Sequence, residues 1–314
     1  MTKFLFYTDS HLAGESPRHR IDDFPRTMIG KLAETYSLAE SEGCQFVAFG
    51  GDFFNSQRIF SYDVISDAMD IICGSSLKTY MVVGEHDLYG HSIETYRSST
   101  LAFFVKRCGN VEILWEPLDF GELVLHGKHE PDKMDKFINA QVDNSKVNVL
   151  VCHELLAPEQ GPFEIVETRT LRNFPFDLVV SGDLHCGFDT HVVDRTCFCN
   201  PGSLARRTTA DAGRWPQVAI VNIEKGNIPD IEIRRLSCGK AGYDVFGESI
   251  AELARSNDHE FDGEEFTEKM MEFEAESTDI HELVQKAGKK AGIRKEVLEY
   301  LAKKRSDKNE ETKA

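Results

Sequence analysis

The sequence predicts an α/β fold with an appended helical segment, on three observations. Short β-branched or aromatic runs alternate with helical periodicity through about residue 180, strand-like runs follow one another from Thr190, and the pattern turns helical after Gly242. In the first part, Phe4–Tyr7, Phe46–Phe49, Tyr80–Val83, Val147–Val151 and Leu178–Val180 read as buried strands. Between them, Arg26–Glu42, Tyr62–Ile72, Glu94–Lys106 and Lys133–Val142 carry helical spacing. Such alternation implies a sheet with right-handed crossovers. In the second part, Thr190–Val193, Cys197–Cys199, Val218–Ile223 and Ile231–Leu236 read as strands joined by turns, Lys225-Gly226-Asn227 among them. In the third, Phe266, Met270 and Phe273 form one apolar stripe and Ile293, Val297 and Leu301 another, with a linker at residues 256–263. Two regions follow: residues 1–240, which hold the α/β unit, and residues 241–314, a helical tail.

The 314 residues suffice for one large core and a smaller appendage. No stretch approaches the roughly 18 apolar residues needed to span a bilayer. The start, Met1–Tyr7, is too short an apolar run for a signal peptide, so a cytoplasmic protein without membrane attachment is expected. The eight cysteines include no CxxC pair, and runs such as Asn148–Cys152 suit reduced, buried thiols. Cys197-Phe198-Cys199 alone has a spacing that puts two thiols on one face of a strand. A net charge of −17 argues against a generally basic surface that coats nucleic acid. A local groove holding metal ions can still supply a positive field. Charge is also segregated: Asp244–Glu282 holds fourteen acidic residues against Arg255 and Lys269, and Lys286–Lys308 holds nine basic residues against three acidic ones.

Chemistry is concentrated at the strand ends. In open α/β sheets, catalytic groups gather where strands end and loops begin. Here the five early strands run into Thr8-Asp9-Ser10-His11, Gly50-Gly51-Asp52, Gly84-Glu85-His86-Asp87, Cys152-His153-Glu154 and Gly182-Asp183-Leu184-His185. One Asp at a strand end is commonly a helix cap, and one His is commonly a satisfied core residue. Five metal-competent clusters in series point instead to a shared site. Carboxylates mixed with imidazoles suit two divalent ions, manganese first and magnesium second. Two such ions, about 3.5–4 Å apart and sharing one ligand, activate water as hydroxide for in-line attack on phosphorus.

The order Asp9-x-His11, Gly51-Asp52, Gly84-Glu85-His86-Asp87, His153, Gly182-x-x-His185 resembles the calcineurin-like metallophosphoesterase superfamily. Arrangement and length look most like its SbcD-type DNA repair nucleases, and Asn200-Pro-Gly-Ser-Leu204 resembles the loop that follows the last motif in them. The resemblance covers about residues 3 to 236. It implies an αββα sandwich of two mixed sheets flanked by helices. It also implies Asp9, His11 and His185 on a first metal, Asp52 bridging, His153 on a second metal, His86 as unligated catalytic histidine, and Asp87 orienting it. Two positions depart from the family pattern: Glu85 stands where Asn is usual and Asp183 where His is usual. If both bind the second metal, Asp9, Asp52, Glu85 and Asp183 set −4 against +4 from two divalent ions. Otherwise the two carboxylates face away and that site is empty.

The expected function is therefore a manganese-dependent DNA exonuclease or endonuclease of SbcD type, acting on DNA as a homodimer with an SbcC-type coiled-coil ATPase. The alternatives are a small-molecule phosphodiesterase or phosphatase, or a non-catalytic scaffold. The tail has two readings: its helices pack on each other or the core, or their stripes dock on the ATPase. Four arginines, Arg18, Arg20, Arg206 and Arg207, flank the first and last motifs and are suited to phosphate oxygens. His126 and His129 either line the cleft or follow a strand as loop residues. Asn55 either caps a helix or serves the site.

Overall fold

The computed structural model describes residues 1–159 and 165–247. The chain forms β1 (Thr2–Tyr7), α1 (Phe24–Ser41), β2 (Phe46–Phe49), α2 (Tyr62–Gly74), β3 (Lys78–Met81), α3 (Thr100–Arg107), β4 (Val111–Ile113), β5 (Leu118–Asp119) and β6 (Leu123–Lys128). There follow α4 (Asp135–Ile138), β7 (Val147–His153), β8 (Leu156–Ala157), β9 (Val166–Glu167), β10 (Leu178–Gly182), β11 (Phe188–Val193), β12 (Thr196–Asn200), β13 (Gln217–Ile223), β14 (Asp230–Arg235) and α5 (Gly242–Phe246). They build two six-stranded sheets, ordered β14-β13-β1-β2-β3-β4 and β11-β12-β10-β7-β6-β5, with β8 and β9 as a small separate ladder. Both sheets are mixed: β1 pairs parallel with β2 but antiparallel with β13, and β7 pairs parallel with β6 and β10 while β5 and β11 run antiparallel to their neighbours.

Alternation along β1 makes the layers. Phe4 and Phe6 point between the sheets, with Val149, Val151, Val180 and Val221. Leu5 and Tyr7 point the other way, onto Met28, Leu32 and Tyr36 of α1. Helix α1 starts where Asp23 accepts a bond from the Arg26 amide at 3.1 Å, with a proline in its first turn. Among the described residues, the far face of the second sheet is covered by the single turn α4 and by Phe174 and Phe176 over Leu150, Val179 and Phe198. The described fold is the expected αββα sandwich, with the outer helical layer reduced on that side.

Several expectations change in detail. The helix expected over 94–106 is a 3-10 turn, Ile93–Ser98, followed by α3, because the Ser99 hydroxyl accepts the Ala102 amide at 3.0 Å and caps a new start. The helix expected over 133–142 is only α4. In place of thiols reduced throughout, Cys73 and Cys108 form a disulfide, Cα–Cα 5.4 Å, where the ends of α2 and α3 meet. Cys186 and Cys238 are exposed, whereas Cys44, Cys152, Cys197 and Cys199 are free and buried. Cys197 and Cys199 do share a face, and it is the apolar face between the sheets. Helix α5 packs Val245 and Phe246 on Ala212, and Arg20 lies over the Phe246 ring. The two apolar stripes of the tail lie outside the described residues. Among those described, no helix is long and apolar enough to cross a membrane.

Candidate metal centre

Strands β1, β2, β3, β7 and β10 run parallel within their sheets, so their carboxyl ends deliver the five clusters to one edge of the sandwich. The turns that follow are tight. Asp9, His11, Asp52 and Asp183 have φ of 52°, 42°, 59° and 75°, in the left-handed region that costs a side-chain-bearing residue about 1–3 kcal/mol. Backbone bonds hold them there: Asp9 N–H to Gly51 O at 3.1 Å and His11 N–H to Asp52 O at 3.0 Å. The glycines before the carboxylates make room. Gly51 has φ 101° and a Cβ there would collide with the His153 ring, and a Cβ at Gly84 would strike the Asp52 carboxylate.

Four overlapping groups of ligand atoms result: Asp9 with His11 and His185, Glu85 with His153 and Asp183, and two that include Asp52, with His11 and His86 or with Asp9 and His153. Asp9, His11 and His185 form the first, all ligand atoms within 4.8 Å of one another. His11 Nε2 lies 3.1 Å from His185 Nε2 and 3.8 Å from Asp52 Oδ2, and His185 Nε2 lies 3.6 Å from Asp9 Oδ1. Thr8 Oγ1 donates to Asp9 Oδ2 at 2.6 Å and orients it. Glu85, His153 and Asp183 form the second, with Asp52 beside it: His153 Nε2 is 2.9 Å from Glu85 Oε2 and 3.7 Å from Asp52 Oδ1. His153 Nδ1 donates to the Gly50 carbonyl at 2.8 Å, which turns Nε2 toward the carboxylates. Glu85 and Asp183 therefore face the site.

The electrostatics call for cations. Burial, then the nearby Glu85 carboxylate, pushes Asp52 well above the usual carboxylate range and Asp183 up to about 8. Burial alone would lower His153, but Asp52 and Glu85 overcome it and hold the ring well above its ordinary value. Burial, then the Arg207 charge, keeps His11 well below its own. Four crowded carboxylates, Asp9 and Asp52 buried and Glu85 and Asp183 partly exposed, face imidazole nitrogens and form a donor set that fits two divalent ions.

A profile of the family described as calcineurin-like phosphoesterase matches residues 2–187, more than half the chain. The chain belongs to that family. It is a metal-dependent phosphoesterase by family and by donor set. Similar solved structures include a Thermus thermophilus protein at 13% identity, TM-score 0.47, covering 75% of this chain and 99% of its own. A dimetal phosphatase from Danio rerio has 13% identity, TM-score 0.48 and the same coverage. A Staphylococcus aureus protein named a putative 5′-nucleotidase, in complex with α-ketoglutarate, has 11% identity and TM-score 0.47, covering 81% of this chain and 58% of its own. No curated protein matches the sequence closely enough to count as a relative.

Within the phosphoesterase site, His86, beside His11 and Asp52, is held differently from expectation. His86 Nδ1 donates to the Asn55 carbonyl at 2.8 Å, and its Nε2 stands 3.9 Å from Asp52 Oδ2. Asp87 does not orient His86 directly, as the resemblance implies. Its carboxylate instead accepts the amides of Asp52 and Gly84, each at 3.1 Å, and that of Phe54 at 3.4 Å. Asp87 thus shapes the two loops that carry Asp52 and His86 and acts on the histidine only through the backbone. Asn55 caps no helix, since α2 begins at Tyr62. Its contribution is a main-chain carbonyl, which no residue type signals in a sequence.

The four flanking arginines divide. Arg20 is buried, paired with Asp22 at 2.8 Å and donating to the Arg206 carbonyl. Arg206 is buried and donates to the carbonyls of Arg214 and Lys240. Both are spent on the fold. Arg207 is half-buried, its amide tied to Asp211 at 3.0 Å, and its charge reaches His11 and His86. Arg18 is exposed. His126 lies within β6, bonded to Asn148, and His129 is buried behind the site rather than in it.

Proposed function

We propose that this phosphoesterase hydrolyses a small-molecule phosphodiester with two divalent ions, manganese first and magnesium second. The observation that carries the proposal is the convergence of seven ligand-type side chains from five strand ends on one point. Asp9, His11 and His185 would hold one ion, Glu85, His153 and Asp183 the other, and Asp52, whose two oxygens face the two groups, would be shared. When bound, the ions would polarise the phosphoryl oxygens and supply the nucleophile from water. His86, one-third exposed beside Asp52, is placed to exchange a proton with the departing oxygen. Arg207 adds a fixed positive charge on the same side. A small substrate is favoured because Arg20 and Arg206 are turned into the fold on a chain of net charge −17, whereas tracking a nucleic-acid backbone draws on a row of exposed cations.

A second reading, an SbcD-type DNA nuclease partnered by a coiled-coil ATPase, is favoured by the Asn200–Leu204 loop. That loop sits directly on the site: Ser203 Oγ donates to Asp9 O at 3.0 Å and Leu204 N–H to Thr8 O at 2.9 Å. The test is one assay with manganese or magnesium on a chromogenic phosphodiester, a phosphomonoester, and linear single- and double-stranded DNA. Diester turnover that a chelator abolishes, with DNA intact, is the expected result. DNA degradation would favour the second reading, and no turnover of any substrate with either ion would overturn both.

A further inference from the structure

Glu85 follows a strand of the first sheet and His153 ends a strand of the second, yet their ligand atoms lie 2.9 Å apart. Something must hold the two sheets in register at that point. The segment at the end of β6 does so on both sides. Lys128 is fully buried, and its ammonium has three acceptors for its three protons: His153 O and His129 O, each at 3.2 Å, and Glu154 Oε2 at 2.8 Å. Two of those acceptors belong to the ligand His153 and its neighbour.

The next residue grips the other sheet. His129 Nδ1 accepts the Val83 amide at 3.0 Å while its Nε2 donates to Leu114 O at 3.2 Å. Burial pushes this ring down to about 4, so it is neutral and can accept at one nitrogen while donating at the other. Glu130 N–H then donates to Val83 O at 3.0 Å, so the peptide groups of Val83, two residues before Glu85, are held at both polar atoms. The Glu130 side chain also takes His91 Nδ1 at 2.7 Å, tying down the turn beyond His86.

We infer that Lys128, His129 and Glu130 are positioning residues that fix the spacing of Glu85 and His153 and thereby set the affinity of the second ion. The inference rests on the two-ion reading. Charge alone gives the opposite expectation: removing a buried cation beside a cation site should tighten metal binding. Positioning gives weaker binding, of the size seen when outer partners of metal ligands are lost.

The experiment is calorimetric titration of chelator-stripped full-length protein with manganese, for wild type, Lys128→Met and His129→Phe, alongside melting temperatures. Wild type should bind two ions in separable steps. Each variant should keep the first step within about twofold and weaken the second by about 10- to 100-fold. If Lys128→Met does not fold, His129→Phe, which loosens Glu85 from the other sheet, carries the test. Variants that bind both ions like wild type, bind the second more tightly, or lose both steps equally would overturn the positioning role. A wild-type protein that binds a single ion would refute the two-ion reading itself.

Discussion

Asp52→Asn is expected to lower turnover at least about a thousandfold, or about 4 kcal/mol of barrier. Its two oxygens each face one ligand group: Oδ2 lies 3.8 Å from His11 Nε2, and Oδ1 lies 3.7 Å from His153 Nε2 and accepts the His86 amide at 2.9 Å. Asparagine keeps the shape but replaces one oxygen with a donor, so one ion must lose its shared ligand. The fold should survive, because burial and Glu85 already disfavour the Asp52 charge in the metal-free protein. Metal-free variant and wild type should therefore melt within a few degrees of each other, while added manganese raises the melting point of wild type by more than that of the variant. Turnover within about tenfold of wild type would remove Asp52 from the shared position.

His86→Ala should separate chemistry from metal binding. Turnover is expected to fall roughly a hundred- to ten-thousandfold, the range for a lost acid or base, while bound metal per chain stays at the wild-type value. The geometry makes this a demanding test. With Nδ1 committed to the Asn55 carbonyl, Nε2 points toward Asp52, and a ring nitrogen falls within 4.8 Å of His11 and Asp52 ligand atoms. Burial, despite the raising effect of Glu85, lowers the ring to about 4, and a neutral ring can also ligate. Metal elemental analysis after dialysis decides: a variant that loses an ion would make His86 a ligand and leave the proton-transfer role unassigned.

Much of the architecture is legible in the sequence because it is local. The run Phe46–Phe49 is β2 to the residue, and all five strand-end clusters lie on one edge, since parallel strands separated by crossovers must end together. Periodicity cannot reveal that β13 pairs antiparallel with β1, Phe4 opposite Val221, which is what makes the first sheet mixed. The Cys73–Cys108 pairing is hidden for the same reason, because spacing along the chain says nothing about which helix ends meet. Within the site, residue type names Glu85 and Asp183 as candidates, but the way they face is decided only by the fold. What the sequence hides most completely is the work done by main-chain atoms. Asn55 O orients His86, Gly50 O orients His153, and the Val83 backbone anchors the Glu85 loop. A carbonyl or amide is present at nearly every residue, so its partner is decided only by folding.

The carboxylate-rich second group, which departs from the family pattern, should be a working metal site. The most direct measurement is a crystal structure grown with manganese, with anomalous difference density collected near the manganese edge. Two peaks about 3.5–4 Å apart are expected, one within coordination distance of Asp9, His11 and His185, the other of Glu85, His153 and Asp183, with Asp52 touching both. A single peak at Asp9, His11 and His185, with Glu85 still paired to His153 and no density beside Asp183, would contradict this arrangement.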